Sequence, residues 1–475
     1  MMEKQSSQMN ENLQEMEDMA SKALKHGLNN GASELEIKLN HGFQRSVEIK
    51  ANSISGIQQQ SKTLISVRSY IGKKMGIASA TALTPKTIEE TVDNAIKLAK
   101  LSPPDDNFIS LAKKVDRNPR KVKGLYDENL SLLDPSDVVT SLKLMVDSAL
   151  EIEKRSIVGG GLQLNDSEVV VLNSNGISKV DKTTSMSLGS FVSIPLSTSD
   201  VGSGGEFYLS RKWENNFDFG NIGKVAAEKA VKTLGSQKIE SDKMPVILDE
   251  KSTFQTLSRT IGIGVNGYMV MSGMSYFSDK IGEELGVSEL NLWDDPHVDE
   301  GYSSKIYDAE GTPTTKVSLF KNGILENYVT DSYTSNKMGI ENTGNAGSGF
   351  GSKIPRPTIH QLQMDAGSAS SDQMLEDMKK GLYIESGLNA FSMTPDISAK
   401  LTRAFYVENG EIKYAIKNAM LGTNVFEMLK GINGISKELL VEYGHQSPKI
   451  LIGEVSIASA GEDKKGAPPV SMGAM

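Results

Sequence analysis

An α+β fold is what this sequence predicts: an N-terminal region of helices and antiparallel sheet, arranged as two similar units, followed by a β-rich C-terminal domain. Three observations carry the prediction. Helical periodicity brackets strand alternation twice in the N-terminal half, and Asn-Gly hairpin turns recur in the C-terminal half. In addition, 475 residues exceed what one core of roughly 150 residues holds, so two or three domains are expected.

From about Asn12 to His26, Leu13, Met16, Met19, Ala20 and Leu24 share one helical face, with Gly27 as the expected stop. Leu35, Ile37 and Leu39 then alternate with Glu34, Glu36 and Lys38, and further strands are expected at 46–50, 64–71 and 76–81. Thr84-Pro85 supplies a cap and a first-turn proline for a helix running to Lys100, with Ile88, Val92, Ala95, Ile96 and Ala99 facing inward. These elements make a first unit, 1–101. Ser102-Pro103-Pro104 breaks the pattern, and 102–124 reads as a linker. Its run from Lys113 to Lys123 is basic but interrupted by Asp116 and Pro119, which suggests a solvated stretch rather than a polyanion site.

A middle unit, 125–243, gains a helix at Asp134-Pro135 that faces inward through Val138, Leu142, Met145, Ala149 and Ile152. Asn173-Ser174-Asn175-Gly176 joins strands 168–172 and 177–179, because Asn and Gly tolerate positive φ. Strands continue through 185–194, and a helix near 222–234 ends at Gly235. The order helix, hairpins, helix repeats that of the first unit and reads as a duplication of element order. The C-terminal domain, 244–461, opens on strand Pro245-Val246-Ile247-Leu248 and a helix capped by Asp249 or Ser252, with Phe254, Leu257, Ile261 and Val265 on one stripe. Short strands follow around turns at Asn322-Gly323 and Asn409-Gly410. The small, polar, Met-rich residues 462–475 read as a flexible tail.

Composition excludes several function classes. No apolar run approaches the roughly 18 residues that cross a bilayer, so a membrane protein is not expected. A net charge of -9 argues against a nucleic-acid surface, which relies on clustered Lys and Arg. The polar start, without a basic region followed by an apolar stretch, and the absence of cysteine point to the cytoplasm. The five histidines, His26, His41, His297, His360 and His445, are not paired at helical metal spacing.

Local motifs offer little catalysis. Asp294-Asp295-Pro296-His297-Val298-Asp299 concentrates carboxylates around a histidine and reads first as an acidic surface loop, second as a metal site. Asp308 and Glu310 have the composition of an acid–base pair but precede a Gly311 turn, where structural carboxylates are the commoner reading. Gly344, Gly347, Gly349 and Gly351 resemble a phosphate cradle without its Gly-Lys-Ser/Thr ending. Ser258 has no neighbouring base in sequence, and Arg259 reads as a salt-bridging residue before a binder of substrate carboxylate.

Pro245-Val246-Ile247-Leu248, Ser275-Tyr276-Phe277-Ser278-Asp279-Lys280-Ile281-Gly282, Tyr307-Asp308-Ala309-Glu310-Gly311-Thr312-Pro313-Thr314, Lys321-Asn322-Gly323-Ile324-Leu325 and Ser332-Tyr333 with Lys337-Met338-Gly339 occur in an order that resembles the TldD/PmbA family, PmbA/TldE branch. Thr343-Gly344-Asn345-Ala346-Gly347 and Gly422-Thr423-Asn424 extend the likeness, which covers about Ala32 to Gly461. In that family the TldD branch holds zinc on a His-Glu-x-x-x-His motif and a C-terminal cysteine. Counted back from Ser275, the motif's first His, Glu and second His fall on Ser258, Arg259 and Ile263, none of which replaces the lost ligand.

The resemblance therefore implies no catalytic residue, no metal and no cofactor in this chain, with zinc held by a TldD-like partner in a heterodimer that acts on short or unfolded peptides. A homodimeric peptide-binding scaffold without peptidase activity is the alternative, and a zinc-independent hydrolase is a third reading with no triad to support it. Arg259, Gly344, Asn345 and Gly347 are the candidate peptide contacts in an internal cavity. Residues five apart on an ideal helix point about 140° away from each other, so a shared metal requires a distorted helix, for which Gly262 and Gly264 leave room.

Overall fold

The alternation in the N-terminal half builds one sheet shared by both units. The computed structural model describes residues 2–197, 200–347, 354–385 and 393–459; the predicted tail, Gly349 and Gly351 lie outside them. Six antiparallel strands run in the order β3-β2-β1-β4-β5-β6. They are β1 (Glu34–Lys50), β2 (Ser53–Ile71), β3 (Lys74–Ala80), β4 (Ile157–Asn173), β5 (Ser178–Pro195) and β6 (Val201–Ser210). The strand pieces expected at 34–39 and 46–50 are one strand, because the polar stretch between them pairs with both neighbours, β2 and β4.

Each half brackets its three strands with helices. α1 (Met2–Asn29) and α2 (Pro85–Leu101) flank the first; α3 (Glu128–Leu132), α4 (Val139–Ile152) and α5 (Phe219–Lys232) flank the second. The long helices all cover one face of the sheet. Leu35, Ile37 and Leu39 of β1 pack with α1 and α2, while Val47 and Ile49, of the same parity, pack with α4 and α5. α1 runs through Gly27 instead of stopping there. A Cβ at Gly27 would lie 2.5 Å from Leu35 and 2.7 Å from Val92, so this glycine lets helix and sheet approach.

The opposite parity of β1 and β2 carries Glu36, Lys38 and Arg68 toward the C-terminal domain. Residues 102–127 form no helix or strand, yet Phe108 and Leu111 are buried and Phe108 stacks on Tyr70 at 3.6 Å. Arg117 donates to the Pro313 and Asn342 carbonyls and pairs with Glu341 at 2.6 Å. The basic run from Lys113 to Lys123 stays mostly exposed, as its composition suggests, while Arg117 and the buried Val122 fasten it along the junction between the domains.

β7 (Asp242–Leu248) sits inside a twelve-stranded C-terminal sheet, parallel to the strand Lys380–Ile384 and antiparallel to His445–Ser459. The long hairpin Ile432–Glu442/His445–Ser459 belongs to that sheet, its second strand pairing with β7. α6 (Glu250–Gly264), α7 (Gly267–Met271) and α8 (Ser332–Met338) complete the elements used below. Asp249 caps α6 by accepting the Ser252 N–H, and Leu257, Ile261 and Val265 bury its inner stripe against the core around Phe277 and Phe320.

Candidate functional site

A cavity of about 550 Å³ opens between the sheet's uncovered face and the C-terminal domain. One wall is β5 and β6, whose Phe191 and Phe207 meet edge to face at 4.9 Å; the other is α6 and the C-terminal hairpin, where Phe254 lies 4.1 Å from His445. Gly204 is needed for the first wall. A Cβ there would lie 2.2 Å from the Ala226 carbonyl oxygen, so only glycine lets α5 seat against β6.

Charged groups converge on the same space. Glu206 accepts from Lys229 and, at 2.8 Å, from Lys251, which also pairs with Glu442 at 3.1 Å. Burial pushes the Glu206 carboxyl up, but the two lysine hydrogen bonds outweigh it and hold the group below its ordinary range. Burial lowers the His445 imidazole to about 4, so it is neutral at physiological pH, and its Nδ1 has no hydrogen-bond partner. Arg403 reaches only to 3.7 Å from Glu385, leaving Nε and Nη2 enclosed without hydrogen bonds. An aromatic trough with unused polar atoms suits a ligand that brings its own hydrogen-bonding groups, as an extended peptide backbone does.

α6 joins this cavity to the motif positions singled out in the sequence. Lys251, Phe254 and Gln255 line the cavity, and residues one turn on, Ser258 and Arg259, continue that face. Ser258 is half-buried, with its Oγ enclosed and unpaired; Arg259 is exposed and in no ion pair among the described residues; Ile263 is half-buried near the helix end. The helix is regular to Gly264, and Val265 N–H reaches the Ile261 carbonyl at 2.8 Å. The distortion that the glycines would permit is absent. Gly264 instead makes room for Phe277, whose Cδ2 would lie 2.3 Å from an added Cβ.

These residues do not fit zinc. A hydroxyl, a guanidinium and an alkyl chain on diverging faces supply no tetrahedral donor set, and no group of three His, Cys, Asp or Glu among the described residues is placed to hold a metal.

Other sequence-marked residues are structural. Asp294, expected in an acidic surface loop, is fully buried because it ties strands together: it accepts the His360 and Gln361 N–H groups at 2.9 and 2.7 Å and the Asn345 amide at 2.5 Å. Burial raises its carboxyl to about 6. Asn345 is thereby engaged inside the fold, and Gly344, with φ +72, is backed against Pro313. Gly347 lines a second, smaller cavity, and Arg259 lies exposed on α6 one turn beyond the larger one, so the four candidate contacts do not form one cluster. Asp295 pairs with Lys316 and Asp299 accepts the Lys123 N–H, so the acidic run has separate partners. Asp308 accepts the Glu310, Thr312 and Ala346 N–H groups, and burial together with the Glu310 carboxylate raises it to about 8. Glu310 takes Arg68 on one oxygen and the Ser332 N–H on the other. Sequence reading missed Glu206, Lys251, Arg403 and His445, whose convergence depends on pairing between distant strands.

Comparison with known proteins agrees with this architecture. Residues 35–99, 101–234 and 241–459 match, in chain order, PmbA/TldA metallopeptidase domain 1, the central domain and the C-terminal domain. The chain is 25% identical to metalloprotease PmbA of Escherichia coli O157:H7 over 93% of this chain and 96% of that one. It is 24% identical to the metalloprotease PmbA homolog of Haemophilus influenzae, over 94% and 96%. Among solved structures, TldE from Thermococcus kodakarensis shares the fold with a TM-score of 0.82 at 24% identity, covering 93% of this chain and 100% of that one. Three family domains in unbroken order, on a sheet and helix arrangement common to that structure, lead to one assignment: the chain belongs to the TldD/PmbA family of metallopeptidases.

Proposed function

We propose that this chain is the metal-free, PmbA/TldE-type subunit of a cytoplasmic metallopeptidase assembly, and that it binds short or unfolded peptides while a TldD-like partner supplies zinc and hydrolysis. The observation that carries the reading is the face of α6: it leads from the cavity wall at Phe254 to Ser258 and Arg259, where the family's motif would stand, and offers no ligand set. β6 supports the peptide part. Among the described residues it is the end strand of its sheet, and it borders the cavity; the Thr233 hydroxyl holds the Ser203 N–H and the Tyr443 hydroxyl the Phe207 carbonyl on its outer edge, so an extended chain that adds alongside it through backbone hydrogen bonds would displace those contacts. A space of about 550 Å³ suits an extended segment and not a folded domain.

The test is reconstitution. The purified chain alone is expected to hold less than stoichiometric zinc and to cleave no unstructured peptide; adding a TldD-like partner is expected to yield a heterodimer by light scattering and peptide cleavage that a chelator abolishes. One tightly held zinc per isolated chain would overturn the reading. A stable homodimer that binds peptides and ignores every TldD-like partner would assign the chain as a scaffold instead.

A further inference from the structure

The smaller cavity, about 230 Å³, lies where the sheet meets the C-terminal domain. Its floor is a row across three strands. Lys38 of β1 pairs with Val171 of β4, which pairs with Lys179 of β5, so two lysines flank a valine on the face turned to the C-terminal domain. Lys305 and Arg211 close the space from the other side. Four cationic side chains therefore surround a volume below the roughly 300 Å³ at which drug-sized ligand sites begin.

The two carboxylates of the lining, Asp181 and Asp308, do not balance the four cations. Lys38 and Lys305 make no side-chain hydrogen bond and no ion pair among the described residues. Among the described residues, the polar contacts of the Lys179 ammonium are the Tyr307 hydroxyl at 3.4 Å and its ring at 4.4 Å. Arg211 donates to the Thr184, Ser304 and Gly301 carbonyl oxygens and forms no ion pair among the described residues. The two carboxylates lining the space, Asp181 and Asp308, are turned to backbone N–H groups: that of Lys182 for the first, those of Glu310, Thr312 and Ala346 for the second. Burial pulls both Lys38 and Lys305 below the ordinary lysine range; the Glu36 and Asp308 carboxyls beside Lys38, and Asp308 and Asp294 beside Lys305, oppose that shift without cancelling it, and Lys38 and Arg211 lower Lys305 further.

We propose that this cavity binds a small oxyanion, a carboxylate or a phosphate group, with Lys38 and Lys305 as its principal ligands and Lys179 and Arg211 around it. The oxygens of such a group accept several N–H donors at once, and its charge restores neutrality at a place where the protein supplies excess positive charge. The site is separate from the aromatic cavity along α6, and the proposal stands whether or not that cavity takes peptides.

The experiment is calorimetric titration of the full chain at pH 7 and fixed ionic strength, with chloride as the background salt. The probes are inorganic phosphate, N-acetylglycine, and N-acetylglycinamide as its uncharged counterpart. Saturable one-to-one binding of phosphate or N-acetylglycine, with none of the amide, is the expected result; the preferred anion tells a free phosphate from a carboxylate terminus. The Lys38→Met and Lys305→Met variants, which remove charge at similar volume, are expected to weaken that binding at least tenfold and to melt no lower than the parent when no anion is present. Lys305→Arg, which keeps the charge, is expected to retain binding. Failure of both anions to bind saturably to the unmodified chain would overturn the proposal, and so would binding that the two Met variants leave unchanged.

Discussion

Arg68 of β2 donates through Nη2 to Oε1 of Glu310 at 2.9 Å, joining two domains across 242 residues of sequence. The same guanidinium grips Glu36 through two hydrogen bonds of 2.9 and 2.7 Å, so one cation neutralises two buried carboxylates. Burial alone would lower the Arg68 pKa, but the two glutamates outweigh it and hold the group well above its ordinary value. Because the partners cannot be rehydrated in place, removing the cation leaves both acids stranded.

Arg68→Ala is therefore expected to destabilise the chain by about 3–5 kcal/mol in urea unfolding. Arg68→Lys is expected to recover less than half of that loss, since an ammonium cannot reproduce the forked contact with Glu36. Equal stability of the Ala variant and the parent would show that the junction does not depend on this triad.

His360 gives a pH signature. Burial lowers it to about 3, its Nε2 lies 2.9 Å from the Gly344 carbonyl oxygen, and Nδ1 has no partner, so the folded protein holds the ring neutral. A base whose folded pKa lies below its unfolded value contributes stability above about 6.5 that is lost as pH falls toward about 3. Asp294, raised to about 6, acts with the opposite sign: its contribution is present at low pH and is lost as pH rises through about 6. Comparing the parent with His360→Gln at each pH isolates the histidine. The variant's deficit at pH 7 is expected to shrink steadily by pH 4.5 in guanidinium unfolding; a deficit independent of pH would refute the assignment.

The two glycines at the end of α6 are expected to respond in opposite directions. Gly264→Ala forces a methyl against Phe277 and costs about 1–3 kcal/mol. Gly262→Ala meets only Ile359 at 3.7 Å, an ordinary contact, and gains up to about 1 kcal/mol of helix propensity. Thermal melts of both variants measure the pair.

Gln255 lines the larger cavity from α6 and stands outside the buried stripe. Gln255→Trp is expected to fill that space, lowering the affinity for an unstructured fluorescent peptide at least tenfold while leaving the melting temperature within about 2 °C of the parent. Unchanged peptide affinity in fluorescence polarisation would move the peptide site elsewhere.

Legibility in the sequence followed the range of the interactions. Thr84-Pro85 and Asp249 announced helix starts because a cap acts within three residues, and Asn173 to Gly176 announced a hairpin because its φ angles are local. Gly27 was misread as a stop because its partners, Leu35 and Val92, lie in other elements. The hairpin Ile432–Glu442/His445–Ser459 carried no clear alternation, since its register shifts between Ile432 and Gly434 and again between Ile435 and Leu439. At the candidate site, the motif positions on α6 came from family likeness. Glu206, Arg403 and His445 could not, because each belongs to a different strand or strand end and only the tertiary fold brings them to one cavity.

The pairing of β1 with β4 at the middle of the six-stranded sheet relates the two halves by an approximate two-fold axis, as subunits of a symmetric dimer are related. Each half has mostly local contacts, whereas the seam joins residues more than a hundred positions apart, such as Glu36 and Asn173. Folding order follows from this: the local hairpins and helices of each half form first, and both cores are completed only when the seam closes, because Val47 and Ile49 of β1 pack with the second half and Val170 and Leu172 of β4 with the first. Until it closes, β1 and β4 present unprotected edges of equal shape, and at high concentration the β1 of one molecule can find the β4 of another, so refolding yield should fall with protein concentration through exchanged dimers.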